Sequence, residues 1–335
     1  MFEQNKPSPE QLDMLRKAVS SDFMEAAAAQ QFLAKAVETP LRKGIMSGDN
    51  LLVEGIFEPT DFTAGQEIKY PLHFLSPGTE RNFYAYNVPS HGKLPRRNIE
   101  GDYVQVAAFH VGNSIDVNRE YLKDARWDVW SDAMQVYEDG YIAKINADGW
   151  HVILTAGVDR NIVVFDSDAP AGTFTKRALS LTKTVMARNG GGNLTSRDGF
   201  KLTDFYMSTE AFEDIRNWNI DQIDEVTRRE IFTNSDGTLT RLFGVNLHEL
   251  RELGVGQEYQ NYFAVDLAGA MGPSDEEICV GLDLSKRRGF VMPIKYEVET
   301  FTNPMLLLEN KVGIFGRGAW GMASLDGRQC VITSF

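Results

Sequence analysis

Apolar residues near the start of the chain recur at helical spacing. Leu12, Leu15, Val19, Phe23 and Ala26 follow at intervals of three and four, giving one narrow stripe with polar residues on the other sides. Ser8 and Gln11 form a capping box, and Pro9 suits the first helical position. The pattern predicts a single helix that runs on through Ala34 and Val37 until Pro40 stops it. Such a helix would be roughly 45 Å long at about 1.5 Å per residue. A stripe this thin cannot support a separate domain, so the helix must lie against something else.

From Leu51 to about Val117 the helical period disappears. Glu67 to Phe74, Asn82 to Tyr86 and Asp102 to Val111 read as strands, punctuated by Pro77-Gly78, Pro89, His91-Gly92 and Pro95. Lys93, Arg96 and Arg97 make a basic cluster in this stretch. It reads as a long two- or three-stranded projection, and an isolated hairpin of this kind is marginally stable in water.

The strongest helical pattern follows, from Asp116 or Asn118 to about Asp148. Trp130, Met134, Tyr137, Tyr141 and Ile145 form one row, with Leu122, Ala125, Val129, Ala133 and Val136 beside it. A second helix is predicted from Ala171 to Arg188, carrying Phe174, Ala178, Leu181 and Val185 and ending at Asn189 and Gly190 to Gly192. Leu202 to Met207 alternates as a strand, and Ser208 or Thr209 caps a short helix with Phe212, Ile215 and Trp218. Between Asp221 and Asp275 the signals are mixed, with a turn at Ser235-Asp236-Gly237 and a strand from Leu239 to Asn246. The remainder reads as strands, at Ile278 to Leu284, Gly289 to Phe301, Lys311 to Ala323 and Gln329 to Phe335, with a turn at Asp326-Gly327. The expected class is α+β.

Composition narrows the function. With 335 residues, 43% hydrophobic, the chain can build a core of one to three domains. No apolar run reaches the roughly 18–20 residues that a membrane helix needs, so no membrane partner is expected. Met1 to Ser8 carry no signal-peptide pattern. Cys279 and Cys330 are too few for a disulfide framework and suit synthesis in a reducing cytosol. The 34 basic and 47 acidic residues leave a formal charge of −13, which argues against gripping nucleic acid through the bulk surface.

Candidate chemistry is sparse. Gly316, Gly318 and Gly321 spell G-x-G-x-x-G, but the residues after them leave no room for the helix of a βαβ unit, so a bent or bulged strand is expected. Gly190 to Gly192 follow a helix instead of opening one and read as its stop. Asn193-Leu194-Thr195 is a glycosylation sequon in spelling alone. His248-Glu249 resembles the start of a zinc-protease helix, but Glu252 stands where a second histidine is needed. His73, His91, His110 and His151 are scattered. Asp166 and Asp168 read as helix caps. Glu210, Glu213, Asp214, Asp221, Asp224 and Glu225 read as a solvated face that could receive a neighbouring subunit's basic cluster. No catalytic residue, cofactor site or metal site is expected.

The order of elements resembles the major capsid proteins of tailed bacteriophages, whose Hong Kong 97-type fold is shared with encapsulins. The run ALSLTKTVMARNG, then KLTDFYMS, then TEAFEDIRNW is similar to that family's entry into its axial domain. TNPMLLLENKVGIFGRGAW with QCVITSF is similar to the closing strands of its peripheral domain. The resemblance implies an N-terminal arm over 1–50, an extended E-loop over 51–108, a peripheral domain with a long spine helix over 109–194 and 285–335, and an axial domain over 195–284.

It also implies a coat subunit that assembles with itself as hexamers and pentamers in a virion shell, made in the host cytoplasm. A separate scaffold, a portal and decoration proteins would be partners, with packaged DNA as a non-specific neighbour that an acidic wall would not hold. Candidate inter-subunit contacts are Lys93, Arg96 and Arg97, with Leu12, Leu15, Val19 and Phe23 of the arm stripe. Two departures stand out: no room for a long N-terminal scaffolding extension, and no Lys and Asn that align with a cross-linking pair. An encapsulin-type compartment and an α+β enzyme with an unrecognised site are the competing readings.

Overall fold

A computed structural model of the chain describes residues 9–20, 22–47, 51–53, 55–63, 65–72, 102–122, 127–158, 162–189, 200–218, 241–261, 277–285 and 289–335. In chain order the elements are α1 (Pro9–Ala18), α2 (Phe23–Ser47), β1 (Glu58–Asp61), β2 (Lys69–Leu72), β3 (Asp102–Gln105), β4 (Phe109–Asn118), α3 (Arg119–Leu122) and α4 (Trp127–Val158). Then follow β5 (Val163–Val164), α5 (Lys176–Arg188), β6 (Asp204–Met207), α6 (Thr209–Asn217), β7 (Arg241–Leu242), β8 (Val245–Glu249) and β9 (Ile278–Leu282). The chain closes with β10 (Phe290–Phe301), a 3-10 turn at Pro304–Glu309, β11 (Lys311–Trp320), β12 (Ala323–Ser324), a second 3-10 turn at Gly327–Gln329, and β13 (Cys330–Ser334). The α+β class holds.

Two compact units divide the chain. The first comprises Met1–Ile68, Val106–Gly149 and Val291–Met322; the second comprises Lys69–Gln105, Trp150–Phe290 and Ala323–Phe335. These packing boundaries differ from the arm, loop and domain limits read from the sequence.

In the first unit the sheet order is β1-β10-β11-β4. β11 pairs antiparallel with β4 without interruption from Lys311↔Asn118 to Trp320↔Phe109. Its pairing with β10 shifts register between Ile294 and Glu299, so the irregularity lies opposite the glycine-rich strand. α4 packs on this sheet through Trp130, Met134, Tyr137, Tyr141 and Ile145, all buried as the row predicts. The Asn113 backbone N–H donates to Tyr141 Oη at 3.0 Å, fixing helix to strand. The neighbouring row is mixed: Leu122 is fully buried in α3, Val129 and Ala133 are half-buried, and Val136 is 64% exposed.

The N-terminal helix is two helices, which corrects the single-helix expectation. Asp22 Oδ1 accepts the Met24 N–H at 2.9 Å, and Ser20 Oγ accepts the Asp22 N–H at 3.2 Å. These short polar side chains satisfy the first amides of a new helix and so restart it. Pro40 does not stop α2, which continues to Ser47. A mid-helix proline costs about 3 kcal/mol, and burial of Leu41, the next residue, and of Ile45, just over a turn on, works against that cost.

α4 likewise outruns its predicted end at Asp148 and starts later, because β4 occupies the chain through Asn118. Gly149 sits inside the helix because neighbours need the space: a Cβ there would meet Val53 Cγ1 at 2.6 Å.

In the second unit the sheet order is β5-β13-β9-β6-β8-β7, and β2 pairs antiparallel with β3 apart from it. β9 is buried along its length, as a central strand must be. α5 starts at Lys176, with Thr175 Oγ1 accepting the Ala178 N–H, not at Ala171. α6 begins as predicted, with Ser208 Oγ accepting the Ala211 N–H at 3.2 Å. The predicted strand over 239–246 is instead the hairpin β7–β8. Phe243 and Gly244 form its two-residue loop with φ of 49° and 79°, both positive as a type I′ turn requires. The predicted strand over 102–111 is also two, β3 and β4. Asn82 to Tyr86 and the turn at 235–237 lie outside the described residues.

Candidate assembly surfaces

The arm helices are held onto their own unit. Arg119 Nη2 donates to Val19 O at 2.7 Å and also to Ser20 O, clasping the corner between α1 and α2. Thr300 Oγ1 on β10 donates to Ala34 O at 2.9 Å. Arg42 Nε donates to Val298 O at 2.9 Å, and Arg42 Nη1 meets Glu297 at 3.0 Å. Leu15, Ala18 and Val19 are consequently buried.

Leu15 and Val19, expected at an inter-subunit contact, are covered by their own unit. Leu12 is half-buried. Of the four stripe residues, Phe23 presents the most surface, 44% exposed. Sequence reasoning missed the residues beside it, Met24 at 76% and Phe32 at 58%. Apolar side chains at helix positions 24, 28 and 32 share one face. Counting intervals of four from Met24 would have found that face.

A second apolar patch stands at the turn between β10 and β11. Met305 is 62% and Leu308 72% exposed, three apart in a 3-10 turn and therefore on one side, with Phe301 at 51% nearby in sequence. Lys93, Arg96 and Arg97 lie outside the described residues, as do His73, His91, the Gly190 to Gly192 run, the sequon and Asp221, Asp224 and Glu225.

His248 lies on β8, where a strand cannot set the one-face spacing of a zinc-protease helix. Its Nε2 contacts Asp204 Oδ1 at 2.9 Å and its ring stacks on Tyr206, with centroids 4.7 Å apart. Asp204 also accepts from Asn246 Nδ2 at 3.1 Å. Burial pushes the Asp204 carboxyl up, but hydrogen bonds from His248, Thr203 and Asn246 outweigh it and hold it below its ordinary value. Asp166 does not cap α5 itself; it accepts from the Thr175 hydroxyl at 2.7 Å and so orients the residue that does. Arg177 pairs with Asp166 and Asp168. Asp214 leaves the expected solvated face to accept the Phe174 N–H at 2.7 Å. His110 shares a 2.6 Å hydrogen bond with Tyr296 Oη. Among the described residues no group of three His, Cys, Asp or Glu is arranged to hold a metal ion.

No family model and no curated protein matches the sequence. Solved structures do. The capsid asymmetric unit of cyanophage Pam1 superposes with a TM-score of 0.55 at 14% identity, covering 83% of this chain and 88% of that one. A chain of Microbacterium phage Oxtober96 gives 0.54 at 11% identity, covering 84% and 90%. The capsid of Myoviridae phage XM1 gives 0.51 at 12% identity, also covering 84% and 90%. The chain has the fold of a phage capsid subunit. This agrees with the Hong Kong 97-type resemblance.

Within that capsid fold the G-x-G-x-x-G spelling has a packing explanation. A Cβ at Gly316 would overlap the Tyr137 hydroxyl, one at Gly318 the Trp320 ring, and one at Gly321 the Ala107 carbonyl. Each glycine admits a neighbour from the same unit, and no βαβ unit follows.

Proposed function

We propose that the chain is the major capsid subunit of a tailed bacteriophage, assembling as hexamers and pentamers into an icosahedral shell around double-stranded DNA. One observation carries this reading: the capsid fold extends over most of this chain and most of the phage subunits it matches. The encapsulin alternative is not needed to account for any feature described. In this reading the subunit's role is structural and its location is the virion capsid, after synthesis in the host cytoplasm. The formal charge of −13 suits a wall that does not hold packaged DNA.

Residues 1–50 then act as the arm, 51–108 as the E-loop, 109–194 with 285–335 as the peripheral domain, and 195–284 as the axial domain. The length of α4 and its packing on β4 support the peripheral assignment. The β6–α6 succession supports the axial one. Phe23, Met24 and Phe32 offer apolar surface to a neighbouring subunit, and Lys93, Arg96 and Arg97 set register there by charge. Scaffold, portal and decoration proteins complete the set of partners. Repetition of one contact around closed symmetry gives a stable shell from modest pairwise affinity.

Electron microscopy of the purified full chain, alone and with added crowding agent, tests the proposal. Closed shells, tubes or capsomer sheets are expected. A monodisperse monomer or dimer under every condition overturns it.

A further inference from the structure

Charge is segregated between two helices of the second unit. Helix α5 reads KRALSLTKTVMAR and carries Lys176, Arg177, Lys183 and Arg188 with no carboxylate, in a chain of 34 basic and 47 acidic residues. Its apolar face is turned to its own core, where Ala178, Leu179 and Met186 are buried. The outward face holds Lys183 and Arg188 among Ser180, Thr184 and Ala187, all exposed. Positions 180, 184 and 188 form one helical row and 180, 183 and 187 the next, so only small side chains stand between the two cations.

Helix α6 has the opposite character. Glu210 and Glu213 are exposed, and Arg216 is the one base of the helix. Thr209 Oγ1 donates to Glu249 Oε1 at 3.0 Å, which brings a third exposed carboxylate to the start of α6. Within one copy these two faces do not pair. Arg177 is held by Asp166 and Asp168, and Lys183 Nζ donates to the Phe243 carbonyl at 2.9 Å. Among the described residues Lys183 and Arg188 make no ion pair, and neither do Glu210, Glu213 and Glu249.

We propose that the basic face of α5 in one copy docks on the acidic face of α6 in the next, a head-to-tail contact that repeats around the capsomer ring. This deepens the shell reading and rests on it. Two copies meeting α5 to α5, or α6 to α6, would set like charges together, so the distribution itself selects contact between unlike faces. Such a contact closes into a ring when its rotation closes. Copies of formal charge −13 repel one another at a distance, and a local basic face gives their approach one favoured orientation. Exposed ion pairs add little strength each. The contact therefore sets orientation and register more than affinity.

Particle yield from the full-length chain, read by sedimentation and electron microscopy, tests it. Lys183→Glu with Arg188→Glu, and separately Glu210→Lys with Glu213→Lys, should each lower the yield about tenfold or more, because like charges then face each other at every repeat. All four substitutions in one chain should return the yield to within about threefold of wild type, since the exchanged faces are again complementary. Near-ultraviolet circular dichroism checks that each subunit is folded. The milder Lys183→Gln with Arg188→Gln should lower the yield about threefold and weaken its dependence on salt. Normal yield from either reversed chain, or a folded four-substitution chain that stays as poor as the reversed ones, overturns the contact. Particles of the α5-reversed chain that form normally but lose nucleic acid would overturn it too, in favour of a phosphate partner. Absence of particles from the wild-type chain would sink the shell reading and this contact with it.

Discussion

Helix α2 and the six-stranded sheet treat buried polar groups in opposite ways. On the sheet, Ser208 Oγ donates to Glu277 Oε2 at 2.7 Å while accepting the Ala211 N–H. The Thr182 and Thr333 hydroxyls meet at 2.6 Å in full burial, and the Lys201 N–H donates to Asp283 Oδ2 at 2.9 Å. On α2, the Gln30 amide is enclosed with nothing to bond, and Gly44 lies against the buried Glu138 carboxylate of α4. Satisfied buried polar groups favour one arrangement, whereas unsatisfied ones lower the cost of leaving it. The sheet's buried polar groups are paired, and the Gln30 amide of the arm helix is not.

The largest effect that tests this contrast is loss of the sheet's aromatic centre. Phe174 is fully buried and contacts Phe205, Trp218 and Phe335, with ring centroids 5.9, 6.2 and 5.4 Å away. Phe174→Ala should destabilise the second unit by about 3–5 kcal/mol through lost transfer energy and the cavity left behind. Urea unfolding followed by near-ultraviolet circular dichroism measures it. A cost under about 1 kcal/mol would undo the contrast.

Next in size is Ser208→Ala, which removes the cap of α6 and one hydrogen bond to buried Glu277. About 2 kcal/mol of destabilisation is expected, and Ser208→Thr should restore most of it. Acid should then separate the two regions by sign. Asp204 is held below its ordinary value, so its contribution is present above that value and is lost as pH falls through the lowered one. Glu138 of α4, which burial raises more than the positively charged N-terminus lowers it, runs the other way. Between neutrality and mild acid the arm should gain protection while the sheet is unchanged, and the sheet should weaken in stronger acid. Hydrogen exchange read for α2 and β6 in one titration checks both signs.

Local patterns were legible in the sequence wherever a residue's neighbours along the chain decided its role. Ser208 followed by an apolar row at 212 and 215 specified α6, and the five large residues from Trp130 to Ile145 specified the packed face of α4. Elements decided by distant contacts were not legible. Pro40 read as a stop and the long helix read as ending near Asp148, yet Pro40 and Gly149 both sit inside helices, and at Gly149 distant Val53 and Met322 pack against the position. The β7–β8 turn depends on a phenylalanine at positive φ, a conformation that its identity does not advertise. His248 and Asp204 are joined by strand pairing between β8 and β6, which no spacing rule predicts. At the arm, the period correctly marked Leu15 and Val19 as apolar contacts but could not say which body covers them, and the answer is their own unit.

The smallest effect on the subunit should be the largest on assembly. Met24 and Phe32 are 76% and 58% exposed, so Met24→Ser with Phe32→Ser removes little surface that folding had buried. Substitutions at such positions change stability by about 0.5 kcal/mol or less, and the unfolding midpoint should stay within error. A neighbouring subunit that covers both side chains would lose the burial of two large apolar groups, about 1.5–3 kcal/mol each. Every repeated contact in a closed shell would feel that loss. Sedimentation of the double variant should therefore show folded subunits and few or no particles. Wild-type particle yield from the double variant would show that this face of α2 stays in water in the shell, and that the arm engages its neighbours elsewhere.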